Sequence, residues 1–127
     1  ILNDILNQLE QVNNQYSLNH TYKLSDRIKN IIEDNYNKNY LGLLYISEQV
    51  NVSTSYVSKV FKEEYGMGVV EYMNRLRIDE AKEIMKRDGL TVKEIAEKVG
   101  FTSDIHFIRI FKKYENTTPG VYQRQNK

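Results

Sequence analysis

The sequence predicts an all-α fold in which a short helix, a turn and a stronger helix occur twice, on either side of one long helix. Three observations carry that expectation. The stretch VSTSYVSKVFKEEYGMGV (residues 52 to 69) aligns with TSDIHFIRIFKKYENTTP (residues 102 to 119) at a constant offset of 50 residues. Apolar residues recur at spacings of three and four, whereas alternation at period two never persists, so strands are not supported. Residues that start and stop helices stand where those apolar stripes begin and end.

Taken in order, Leu2, Ile5, Leu6, Leu9 and Val12 mark an amphipathic helix over residues 1 to 13 with a seam close to a heptad. Its expected role is either dimerisation or signalling to an upstream domain, or simple packing as a terminal helix. Residues 14 to 24 are polar and read as a linker. Ser25 offers an N-cap before Ile28, Ile31, Ile32 and Tyr36, the stripe of the first helix of the globular part, which the NYNKNY segment ends. Gly42 serves as a glycine N-cap for a short helix bearing Leu43, Ile46 and Val50, a weaker start than serine or threonine gives by about 0.5 kcal/mol or less. Ser53 caps the next helix, which runs to about Tyr65 and stops at Gly66, the residue that takes a left-handed turn most readily.

From Val69 to about Arg87 no glycine or proline interrupts, and Tyr72, Met73, Leu76, Ala81, Ile84 and Met85 recur at helical spacing. This predicts one helix roughly 27 Å long, at about 1.5 Å per residue, closed by Gly89. Thr91 and Glu94 form a capping box before Ile95, Ala96 and Val99. Ser103 caps the last strong helix, which extends to about Tyr114, and Asn116 stands where Gly66 stands in the first copy. Pro119 opens a final turn with Val121 and Tyr122. The expected organisation is a helical stub and linker from an upstream domain (residues 1 to 24), a first unit with the connector helix (25 to 87), and a second unit with a tail (88 to 127).

Composition narrows the function classes. The 127 residues contain no cysteine, which removes disulfides, thiolate catalysis and cysteine-based zinc sites together. His20 and His106 are too far apart and too lightly accompanied to argue for a metal. Carboxylate pairs such as Glu63 with Glu64 and Asp79 with Glu80 fall on predicted solvent faces with no basic partner for catalysis. No enzyme and no cofactor is therefore expected. Nor does any apolar run approach the roughly 18 residues a membrane span needs, and no leader is evident, so a cytoplasmic home is expected. The formal charge of +1 hides an asymmetry: residues 1 to 35 carry three basic and five acidic side chains, and the remainder fifteen and twelve. The basic excess lies with the repeat, a balance that permits nucleic-acid binding without demanding it. The chain opens on Ile1 rather than methionine and is expected to be part of something longer.

The two copies share an inward triplet, Val57, Val60 and Phe61 matching Phe107, Ile110 and Phe111. On the opposite face of the first strong helix stand Thr54, Ser55, Ser58, Lys59 and Lys62, which are small, polar and basic, as entry into a major groove requires. The outward bases are repeated too, Arg109 matching Lys59 and Lys112 matching Lys62. Duplicated outward charge gives a helical scaffold nothing. It suits a protein reading adjacent major grooves, which recur about 34 Å apart on one face of the duplex. The alternative is a helical module whose outward faces bind protein.

NVSTSYVSKVFKEEYGMGVVEYMNRLRIDEAKEIM followed by TVKEIAEKVGFTSDIHFIRIFKKYENTTPGVY resembles the DNA-binding domain of the AraC/XylS family of bacterial transcription regulators. The likeness covers about residues 26 to 124, including the GF turn, the FKK and the closing TP. It implies a homeodomain-like, AraC-type fold with two helix-turn-helix units in successive major grooves of double-stranded DNA. It also implies transcription activation, with RNA polymerase as an expected partner. DRIKNIIEDNY leading into the domain is similar to members that are two-component response regulators, which implies an upstream sensory or receiver domain. Carried over by position, the first reading helix contacts DNA through Thr54, Ser55, Ser58, Lys59 and Lys62. The second uses Asp104, Ile105, Ile108, Arg109, Lys112 and Lys113, with His106 as a phosphate contact or packing residue where the family usually has tyrosine. Ile105 and Ile108 leave the buried stripe and, with Arg109 and Lys112, form an outward line at i, i+3, i+4 and i+7. Apolar side chains there can pack on thymine methyl groups.

Overall fold

The computed structural model describes residues 24–87 and 89–126. The helix expected over residues 1 to 13, and all of the expected linker except Leu24, lie outside the described residues. Among the described residues there are seven helices and no strand: α1 (residues 24–35), α2 (Leu43–Val50), α3 (Thr54–Tyr65), α4 (Val69–Arg87), α5 (Val92–Lys98), α6 (Asp104–Glu115) and α7 (Pro119–Gln125).

In α1, Leu24, Ile28 and Ile32 are buried along one stripe. Two details differ from the sequence reading. Leu24 belongs to the helix and the core rather than to a linker, and Ser25 lies inside the helix, buried, rather than capping it. Leu24 is itself helical, and the stripe it shares with Ile28 and Ile32 draws Ser25 inward. At the other end the Asn35 side chain donates to the Ile31 carbonyl at 2.8 Å, satisfying one acceptor of the last turn.

The remaining boundaries follow from capping chemistry. Gly42 starts α2 with no side-chain cap, and Asn51 ends it at φ 58°. Ser53 accepts from the Tyr56 N–H to start α3, and Gly66 ends it at φ 73°. Thr91 and Glu94 form the reciprocal capping box of α5. Ser103 accepts from the His106 N–H to start α6, which ends at Asn116 with φ 60°, and Thr118 caps α7 with Pro119 in its first turn. Asparagine and glycine are the residues that enter the left-handed region at least cost.

Two cores flank the connector. The first gathers Leu24, Ile28, Ile32, Leu41, Ile46, Val50, Val57, Val60 and Phe61 with Val69 and Met73 from the start of α4. The second gathers Ile78, Ala81, Ile84 and Met85 from the rest of α4 with Ile95, Ala96, Val99, Phe101, Phe107 and Phe111. α4 therefore serves both, and it also buries Asn74 and Arg77 between the two apolar sets. The first core is mostly aliphatic and is tied to α1 by two tyrosines, Tyr65 donating to Asp26 and Tyr72 to Glu33, each at 2.7 Å. Burial, then these carboxylate partners, push both phenols up to about 12, so they remain donors. The second core is a run of rings: Phe101 against Phe107 at 5.3 Å, Phe107 against Phe111 at 5.8 Å, Phe111 against Tyr122 at 5.4 Å. Each fully buried phenylalanine contributes about 1.5–3 kcal/mol, which accounts for the apolar character of the second copy.

Candidate nucleic-acid interface

The caps at Ser53 and Ser103 fix where α3 and α6 begin, and so which side chains turn inward. On α3, Val57, Val60 and Phe61 are buried; Ser55, Lys59 and Lys62 are exposed, with Thr54 and Ser58 half-buried at the margin. On α6, Phe107 and Phe111 are buried, but Ile110, read as the third member of the triplet, is only half-buried against the second core. Two phenylalanines already fill the space that the smaller Val57 and Val60 share with Phe61 in the first unit. Ile105 is 76% exposed. Arg109, Lys112 and Lys113 are exposed, and Asp104, His106 and Ile108 are half-buried. Ile105 and Ile108 pack into neither core.

Charge is distributed unevenly between these faces and the scaffold. Ion pairs among the described residues join Lys29 to Glu33, Arg75 to Glu71, Lys82 to Glu115 and Lys86 to Glu83. None uses Lys59, Lys62, Arg109, Lys112 or Lys113, so the cations on the outward faces have no carboxylate partner among the described residues. Lys113 stands apart from the others, lying 6.0 Å from the Tyr114 ring centroid and lining a cleft with Val70 and Asn74 of α4. Asp104, the one acid of the set, occupies the first turn of α6, where the helix dipole favours a negative charge.

His106 has a role that the sequence reading did not contain. Arg109 Nη2 lies 2.8 Å from His106 Nδ1. Arginine has only N–H donors, so Nδ1 accepts and the imidazole is neutral with its proton on Nε2. Its pKa is held below the ordinary imidazole value by burial first, then by the nearby Arg109 and Arg77 charges. The ring also packs edge-on against Phe101 at 5.5 Å. His106 thus anchors the Arg109 guanidinium to the first turn of α6, beside Phe101. The signal available in the sequence was the spacing of three between them, which puts two helical side chains side by side.

The pattern of the helix-turn-helix domain family matches residues 46–125, from within α2 to the end of α7, and so takes in both strong helices and the connector. The chain belongs to the AraC-type helix-turn-helix family. This is a family of DNA-binding transcription-regulator domains and not of enzymes. The AraC-type domain is 36% identical over 104 residues to YtdP of Bacillus subtilis, an HTH-type transcriptional regulator, covering 82% of this chain and 13% of that one. Among solved structures it is similar to the C-terminal domain of the two-component response regulator yesN from Fusobacterium nucleatum, at 38% identity and a TM-score of 0.73, covering 76% of this chain and 93% of that one. It is similar also to the C-terminal domain of the response regulator AraT from Geobacillus stearothermophilus, at 29% identity and a TM-score of 0.77, covering 80% and 84%. The chain spans less than half the length of the curated relatives it matches first. No described helix is long and apolar enough to cross a membrane.

Proposed function

We propose that this chain is the DNA-reading part of a bacterial transcription regulator and that it places α3 and α6 in successive major grooves of one duplex. The observation that carries the reading is the pair of outward helix faces whose cations lack carboxylate partners, while Lys29 of α1 and Arg75, Lys82 and Lys86 of α4 are each paired with a carboxylate. Lysine and arginine left free on a helix face can meet phosphates and guanine edges without first breaking an ion pair. Lys59 and Arg109 are the base readers on this reading, Arg109 the stronger because its planar fork fits guanine O6 and N7. Thr54, Ser55 and Ser58 supply small polar contacts, Lys62, Lys112 and Lys113 meet phosphates, and Asp104 accepts from cytosine N4. Ile105 and Ile108 pack on thymine methyl groups.

The likeness to two response-regulator C-terminal domains supports an upstream receiver or sensory domain, joined through residues 1 to 24, in the full-length protein. Activation through RNA polymerase, and a cytoplasmic location, complete the reading. Selection of bound duplexes from a random DNA pool tests it. Two motifs about one helical turn apart, roughly 10 base pairs, are expected; a single motif would mean that one unit does not read bases. Failure to enrich any sequence, with no loss of retention as salt rises, would overturn DNA binding itself.

A further inference from the structure

Arg77 is the most buried cation of the described chain, at 6% exposure, yet it has no carboxylate partner. Instead Nε donates to the Tyr36 carbonyl at 2.6 Å and Nη2 to the Lys38 carbonyl at 3.1 Å. Both acceptors lie just past the last residue of α1, at the end where the helix dipole gathers negative charge. The other side of the guanidinium lies over the Phe101 ring, 5.2 Å from its centroid. Gly100 sits against the same group. At φ +106° a Cβ there would lie 2.6 Å from the Tyr36 carbonyl oxygen and 3.0 Å from Arg77 Nε.

These contacts join the end of α1, which belongs to the first core, to the turn that launches α6, which belongs to the second. No apolar residue is common to the two buried cores. A buried charge is seldom kept for stability, since an apolar residue of like volume commonly does as well; what directional donors add is a fixed geometry. We propose that Arg77, with Gly100 and Phe101, is a latch that fixes the second helix-turn-helix unit against the first and thereby sets the spacing of half-sites the chain accepts. Arg77 is then a positioning residue that acts on specificity without touching DNA, an inference that rests on the bipartite reading proposed above. Each added base pair moves a half-site by about 3.4 Å and a tenth of a turn, which a latched pair cannot follow.

The test uses the whole chain, with the best bipartite duplex from the selection, duplexes carrying one half-site only, and spacers lengthened or shortened by one base pair. The wild type should lose about tenfold or more in affinity at either altered spacing, because simultaneous engagement fails. Arg77→Met and Gly100→Ala should each bring that loss within about twofold, with half-site binding unchanged; Arg77→Lys, whose single ammonium replaces a two-pronged fork, should fall between. In parallel, spin labels on Glu64→Cys and Lys93→Cys, in a chain that has no other cysteine, report the distance between units without DNA. A narrow distribution in the wild type that broadens in both variants supports the latch. Variants that keep the wild-type spacing preference or the narrow distribution overturn it, as does a loss of half-site binding equal to the loss on the bipartite site. If the wild type binds no DNA, the bipartite reading and the spacing role fall together, while the label distances still decide whether the latch exists.

Discussion

Replacing His106 with phenylalanine isolates what the imidazole does for Arg109. The phenylalanine ring keeps the packing against Phe101, now at 5.5 Å, and removes the acceptor that holds Arg109 Nη2 at 2.8 Å. If Arg109 pairs with a guanine, Arg109→Ala should cost about 1–3 kcal/mol, or roughly 5- to 150-fold, at one base pair. His106→Phe should cost only the ordering of one long side chain, about 0.5–1.5 kcal/mol, at that same base pair. In the Arg109→Ala background it should cost nothing further, since there is no guanidinium left to orient. Competition binding against every single-base variant of the selected site reads both the size and the position of the loss. Below pH 6.5 the wild type should acquire a pH dependence that His106→Phe lacks. In the folded chain the pKa lies below 6.5, and as pH falls through that lowered pKa Nδ1 gains a proton and can no longer accept from Arg109. The same shift acts on folding: the unfolded chain takes up its proton first as pH falls below 6.5, so this group's share of stability declines over that interval. Equal losses at all base pairs, or additive losses in the double variant, would refute the orienting role.

Three further outcomes are expected. Lys62→Ala should weaken binding to all sequences alike and reduce the slope of log affinity against log salt by about one, measured by titration at several salt concentrations. Ile108→Ser should remove preference for thymine in the second half-site while leaving the first unchanged, read from the same base-variant panel; an intact preference would make the apolar surface structural. Phe111→Ala, which empties a fully buried site between Phe107 and Tyr122, should destabilise the fold by about 3–5 kcal/mol in denaturant titration.

Helix ends were legible in the sequence because capping is local chemistry: Ser53, Thr91 with Glu94, Ser103, Gly66, Asn116 and Pro119 each act within four residues of where they stand. The inward stripes of α3 and α6 were legible for the same reason, being set by helical period, and the outward faces follow as their complement. What was not legible depends on partners distant in the chain. Arg77 reads as one more charge on a long helix, and its burial follows only from Tyr36 and Lys38, which the fold brings to it from 41 and 39 residues away. Ser25 looks like a cap when the helix start is judged from Ile28 onward, and becomes interior once Leu24 is drawn into the core. Ile110 shows the limit of transferring burial between copies, since two phenylalanines displace it from a place that smaller residues leave open in the first unit.

The two units differ most where they meet. Both turns contain one left-handed residue, Asn51 before α3 and Gly100 before α6. Asn51 is exposed and holds φ 58°, a conformation its side chain tolerates. Gly100 is buried at φ +106°, and a Cβ there would lie 2.6 Å from the Tyr36 carbonyl oxygen, so a larger residue is strained and has to push the joint apart. The second turn is also longer, residues 99–103 against 51–53, and the added length carries Phe101 under the Arg77 guanidinium. A duplicated unit whose copies faced only DNA would have no physical reason to depart from its partner in the turn, which lies between the two helices rather than on the reading face. The departure follows once the second turn has to dock on the end of α1, and it places the asymmetry of the chain in the joint as much as in the side chains that face outward.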